Sequence, residues 1–354
     1  MKKNKLLLVY NTCGILDDKD RGRRSVISKK KILYYITAIK ALINQDLDNY
    51  KVVVSMYKSS LECKKQLAKK FGNKISYIFY DKGALSVNHT FNKTIQLCVE
   101  KFGKFEGYLY IDSGVHFGPI KTSVHPVYGS HDYPTQNTTI VKKMYDLFKD
   151  GPYAMVDGQV DWDAGFEQIG FDYDSGPPAQ IQGENVIIPV GKAVNMHIKI
   201  YSHELYENYD RRVHPDVFAA FCSESVLSFL AAAIKKKWAV LADEIVHHFG
   251  CIEAHDGSNS ADFHKKSPIY NNTWNNLLHG RNALDFINDQ EAIDAGLGYE
   301  EVGNIMMHKQ DAFDEEGFAK NPEKLREIIM KYFFLTKEEF DYDKIKYNLI
   351  WGKN

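Results

Sequence analysis

Through the first 111 residues, short apolar runs alternate with stretches whose apolar side chains recur every three or four positions. The runs at 5–10, 51–56, 75–80 and 107–111 are rich in β-branched and aromatic residues, a pattern that predicts buried strands. Between the first two, Ile32, Tyr35, Ile36, Ile39, Leu42 and Ile43 follow i, i+3, i+4 spacing and predict a helix. Leu61, Leu67 and Phe71 predict a second helix less regularly, and 86–102 predicts a third. Strand, helix and strand at this spacing form βαβ units. The expectation is an α/β fold with a mostly parallel sheet and helices on both faces.

The pattern then loosens. Residues 114–136, with Gly, Pro, His and Ser, read as loop; 140–149 predicts a helix and 153–156 a strand. The Gly-, Asp- and Pro-rich stretch 157–182 reads as a lid or long surface excursion. Alternation of Val194, Met196, Ile198 and Ile200 predicts a strand. Helices over 203–209 and 223–236 and a strand over 238–241 follow. Helices are expected again at 322–334 and 337–351, making the tail a helical extension packed on the main domain. The expected division is a domain at 1–265, with halves of about 1–115 and 116–265, followed by the extension at 266–354.

Composition narrows the classes. Hydrophobic residues at 44% supply a sizeable core, and a net charge of −1 from 45 basic against 46 acidic residues gives no general attraction for nucleic acid. The five cysteines are widely spaced without a CxxC pair, which argues against a disulfide framework or thiolate zinc site and fits a reducing compartment. No apolar run approaches the roughly 18 residues of a membrane span. A cytoplasmic chain is expected, with peripheral membrane association left open.

Ligands of parallel sheets bind beyond the carboxyl ends of the strands, and the predicted ends here are polar. Asp112 ends an apolar run, where a carboxylate can hold a divalent cation bridging a diphosphate; its structural alternative is a turn cap before Gly114. Ser223-Glu224-Ser225 precedes an apolar helix, so Glu224 is either a carboxylate favoured by the helix dipole or a general base facing a cleft. His247 and His248 follow a predicted strand and offer at most one metal ligand, since neighbours on a strand point apart. The basic cluster Arg21-Gly22-Arg23-Arg24 reads as a solvated loop. No Walker loop, GxGxxG, GxSxG or HExxH occurs, which removes the simplest triphosphatase, dehydrogenase, hydrolase and metalloprotease readings.

In order and spacing, residues 5–260 resemble the family 2 type of GT-A glycosyltransferases. The resemblance rests on Tyr10-Asn11 ending the first strand, Gln45 ending a helix, Asp81-Lys82-Gly83 leading to Phe91-Asn92-Lys93, Asp112-Ser113-Gly114 at the metal-binding DxD position, and Ser223-Glu224-Ser225 at the base motif. Lys237-Trp238 and His247-His248-Phe249-Gly250 align with later motifs. The sequence departs from the pattern at Met56 or Tyr57, where a base-reading acid is usual, at Gly114, which leaves DxD with one carboxylate, and near Phe229 or Leu230, where an Arg is usual.

The resemblance implies a Mn²⁺- or Mg²⁺-dependent, inverting transfer of a sugar from a nucleotide-diphosphate donor, UDP- or GDP-linked, to a hydroxyl of a glycan or small-molecule acceptor. It implies Glu224 as base, with Tyr10, Asn11, Asp81, Asn92, Asp112 and Ser113 at the donor. Asp112 with His247 or His248 would hold the metal, helped by His116. Asp161, Trp162 and Trp238 would meet the acceptor. A sugar nucleotidyltransferase and an inactive nucleotide-sugar-binding module are the alternatives, the second motivated by the incomplete DxD.

Overall fold

The four predicted N-terminal strands form one half of a single mixed sheet. The computed structural model describes residues 4–12, 35–57, 61–80, 87–112, 115–117, 138–162, 185–191, 197–217, 223–248, 283–298 and 310–352. Strands β1 (Asn4–Thr12), β2 (Tyr50–Tyr57), β3 (Ser76–Tyr80) and β4 (Phe105–Asp112) lie in the order 3-2-1-4, all parallel. Helices α1 (35–42), α2 (Leu61–Phe71) and α3 (Val87–Phe102) accompany them. Leu6 to Tyr10 are all fully buried, the signature of a strand covered on both faces.

The second half adds β5 (Val115–His116), α4 (Ile140–Asp150), β6 (Tyr153–Trp162), β7 (Val186–Ile187), β8 (Ile198–Ser202), α5 (His203–Asn208), α6 (Ser223–Ala232) and β9 (Lys237–His248). Across the sheet the order is β10 (Tyr347–Ile350), then β3-β2-β1-β4-β8-β6-β9-β5, with β7 also on β9. Antiparallel β8 lies between β4 and β6, while β6 and β9 return to the direction of β1. Two expectations change here. β6 and β9 run well beyond 153–156 and 238–241, so 157–162 belongs to the sheet and His247 and His248 lie within a strand. Polar residues at 157–162 predict a loop, yet strand ends that face a site carry polar side chains. Residues 163–182 lie outside the described residues.

The tail is also reassigned. α7 (Gln290–Asp294) and α8 (Pro322–Phe333) are helical, α8 opening on the Asn321 cap with Pro322 in its first turn. The expected helix at 337–351 is instead a short 3₁₀ turn at Tyr342–Lys344 and strand β10 (Tyr347–Ile350), antiparallel to β3. The end of the chain therefore extends the main sheet, and 266–354 is not a purely helical appendage. No helix among the described residues is long and apolar enough to cross a membrane.

Period-two alternation along the strands divides the core by face. One face carries Leu6, Leu8, Tyr10, Leu109, Ile111 and Ile200, packed with Ile39 and Leu42 of α1 and Met144 of α4. The other carries Leu7, Val9, Tyr108, Tyr110, Tyr201 and Trp238, covered by α3, α6 and α8. Each fully buried large apolar side chain contributes roughly 1.5–3 kcal/mol before entropy is counted.

Candidate functional site

The strand order reverses between β1 and β4: β2 and β3 extend one way and β8, β6 and β9 the other. A crevice opens at such a point beyond the carboxyl ends of the strands. Asn11 and Asp112 are register partners there. By alternation both share the face of Leu7, Val9, Tyr108 and Tyr110. Asn11 is 4% exposed, and its carbonyl Oδ1 accepts no hydrogen bond among the described residues.

Asp112 is held from β8's side. Its backbone N–H donates to the His197 carbonyl at 2.8 Å, and its Oδ2 lies 3.3 Å from His197 Nδ1. Both side chains are partly open, at 33% for Asp112 and 14% for His197. Sequence reasoning missed His197. It stands just before β8 in a segment with no motif, and only the antiparallel insertion of β8 beside β4 reveals its position.

The donor set suits a divalent cation: a carboxylate, a neutral carbonyl oxygen and an imidazole. His247 and His248 stand three strands away on β9. At about 4.8 Å per strand, that is on the order of 14 Å of backbone from Asp112. The expected pairing of Asp112 with His247 or His248 turns on side chains that lie outside the described ones. His247 lies in one row with Asp161 on β6 and His116 on β5.

Three further expectations change. Trp238 is 1% exposed, its indole N–H donating to Asp157 Oδ2 at 2.9 Å, so it belongs to the core and cannot stack on an acceptor. Asn92 is buried and fastens the chain at 213–214: its Oδ1 accepts from the N–H groups of Val213 and His214, and its Nδ2 donates to the His214 carbonyl. Tyr10 is fully buried edge-on against Tyr35 on the opposite face. These three side chains build the scaffold and do not reach a donor. Asp81 and Ser113 lie outside the described residues, and Asp161 and Trp162 are described only as positions on β6.

Glu224 falls in the first turn of α6, which begins at Ser223 itself, not after it as a cap would require. Residues 233–236 turn tightly from α6 into β9, with the Lys236 N–H reaching the Ala231 carbonyl. The helix thus runs antiparallel to β9, and its start lies toward the carboxyl ends of the strands. Val226, Leu227, Phe229 and Leu230 bury on the face that carries Asp112.

Two residues along β8 from His197, a buried charge cluster begins at Lys199. Lys199 and Asp157 are register partners on β8 and β6, 3.4 Å apart, and Lys199 Nζ sits 3.8 Å from the Trp238 ring centre. Burial lifts the Asp157 carboxyl to about 7, against the opposing pull of Lys199 and the indole N–H. His214 donates from Nδ1 to Asn88 Oδ1 and accepts the Tyr201 hydroxyl at Nε2, the pattern of a neutral ring. Burial, then Lys199, holds its pKa well below the ordinary value.

No family model matches the chain, and no curated protein matches it. Among solved structures, it is similar to a protein from Desulfovibrio desulfuricans G20 described provisionally as a nucleotide-diphospho-sugar transferase, at 7% identity and a TM-score of 0.37 over 76% of this chain and 93% of that one. It is also similar to A197 from STIV, at 11% identity and a TM-score of 0.33 over 69% of this chain and 85% of that one.

Proposed function

We propose that the chain is a glycosyltransferase moving a sugar from a nucleotide-diphosphate donor to an acceptor hydroxyl. The observation that carries this reading is the pairing of Asn11 with Asp112 at the carboxyl ends of two adjacent parallel strands, at the point where the strand order reverses. The start of α6, with Glu224, opens on the same side.

In this reading Asp112 would help hold Mn²⁺ or Mg²⁺, which when bound would supply positive charge to the diphosphate leaving group. Asn11 contributes a buried amide at the floor. Glu224 takes the acceptor hydroxyl proton as the oxygen attacks the anomeric carbon opposite the diphosphate. The bond to the new oxygen forms as the bond to the phosphate oxygen breaks, so the centre inverts. A chain with net charge −1 needs no basic groove for its donor, because the cation provides the charge locally.

The test is a screen of UDP-, GDP-, CMP- and dTDP-sugars, with and without Mn²⁺, for thermal stabilisation and for release of the free nucleotide. Metal-dependent stabilisation by one donor supports the reading. Pyrophosphate release from a nucleoside triphosphate with a sugar phosphate would assign a nucleotidyltransferase instead, and stabilisation without turnover on any acceptor would assign a binding module.

A further inference from the structure

Building on the glycosyl-transfer reading, the geometry points to His197 as a nitrogen ligand that, with Asp112, seats the divalent cation and replaces the second carboxylate missing at Gly114.

The two side chains are fixed for this without a loop rearrangement. His197 immediately precedes β8, and the Asp112 N–H to His197 carbonyl bond locks the two backbones together at 2.8 Å. Their Oδ2 and Nδ1 atoms stand 3.3 Å apart. Charge-assisted hydrogen bonds usually close to about 2.7–2.9 Å. Donors on adjacent corners of an octahedron with bonds of about 2.1 Å stand about 3.0 Å apart, so the observed gap needs only a few tenths of an ångström of adjustment. Both side chains are partly exposed, Asp112 the more so.

Asn11 supplies the independent observation. Its Oδ1 is buried, lacks a hydrogen-bond partner among the described residues, and lies on the neighbouring strand at Asp112's own register. A buried carbonyl oxygen left without a donor is costly, and a hard cation or its bound water satisfies it. One nitrogen and two oxygen donors favour Mn²⁺ over Mg²⁺, because imidazole raises affinity for the transition metal while Mg²⁺ prefers oxygen.

The test is Mn²⁺ titration of the full chain followed by electron paramagnetic resonance, with spin-echo modulation read on the bound ion, alone and with UDP or GDP. The expected result is a bound Mn²⁺ whose echo carries imidazole nitrogen modulation. His197→Ala should remove that modulation and weaken binding by more than about tenfold. His197→Gln, which keeps a polar group beside Asp112, should also lose the modulation, and Asp112→Asn should abolish binding. Nitrogen modulation that survives in both His197 variants would overturn the proposal, as would no bound Mn²⁺ with or without nucleotide. Nucleotide-sugar turnover measured in chelator separates the two claims. Turnover that persists there leaves the glycosyl-transfer reading standing, and with no nitrogen modulation on bound Mn²⁺ it removes the cation seat. Mn²⁺ held by His197 in a chain that turns over no donor keeps the seat and removes the reading.

Discussion

Asn11 and Asp112 face each other across β1 and β4 at the last paired register of the two strands. Everything proposed for this chain turns on that pairing. It sets a buried amide beside a partly open carboxylate at the one place where the sheet order reverses. Apolar side chains pack both faces of the scaffold below, so the polar groups at this edge are held by rigid strands.

Glu224 in the first turn of α6 gives the first prediction. Glu224→Gln should leave metal-dependent donor binding intact and lower transfer by about 10²–10⁴-fold, the usual contribution of a positioned base. Calorimetric donor affinity, measured beside steady-state transfer, separates the two effects. Full activity in the variant would remove Glu224 from the chemistry.

Asn92 belongs to the scaffold rather than the donor site. Asn92→Ala strands the N–H groups of Val213 and His214 and the His214 carbonyl. The expected cost is about 2–4 kcal/mol of stability, read from urea unfolding, with nucleotide affinity unchanged at temperatures where the variant is folded. A selective loss of nucleotide affinity in a fully stable variant would return Asn92 to the site.

Asp157 makes stability depend on pH in a defined direction. Burial raises its carboxyl from 3.8 to about 7. Because the unfolded carboxyl titrates near about 3.9, the folded chain holds the extra proton between roughly pH 4 and 7, and stability falls as pH rises through that window. Asp157→Asn removes this titration. The variant should therefore gain on the parent in urea midpoint as pH rises across that window. A parent that gains on the variant would mean a carboxylate already ionised and paired with Lys199 at the acid end.

The C-terminal strand closes the edge of β3. Gly352 N–H donates to Ser76 Oγ, and Trp351 packs edge-on against Phe102. A chain ended after Lys346 should lose about 2–5 kcal/mol, the range for removing large packed side chains. Hydrogen exchange should rise along Tyr77–Tyr80, which β10 pairs. Unchanged exchange there would mean the strand contributes nothing to the edge.

The N-terminal half was legible because β1 to β4 are buried on both faces and announce themselves as continuous apolar runs. The polar ends of β6 and β9 were not, since Asp157, Gly158 and Asp161 read as turn residues although they continue the sheet. β10 was missed for another reason. It is four residues long with alternating partial burial, and its partner β3 lies more than 260 residues earlier, a contact no local pattern encodes. At the site, the strand-end position of Asp112 and the helix-start position of Glu224 were visible. His197 was not, because its role depends on β8 lying antiparallel beside β4, a topological fact that its neighbours in sequence do not signal.

The most direct test of the account is calorimetric binding of nucleotide-diphosphate sugars to the parent chain and to Asp112→Asn, each with Mn²⁺ and with chelator. The account predicts that one donor binds the parent only when Mn²⁺ is present, and that Asp112→Asn loses this binding while unfolding at the parent's temperature. Binding that is equally strong in the folded variant, or absent from the parent for every nucleotide sugar with Mn²⁺, would contradict it.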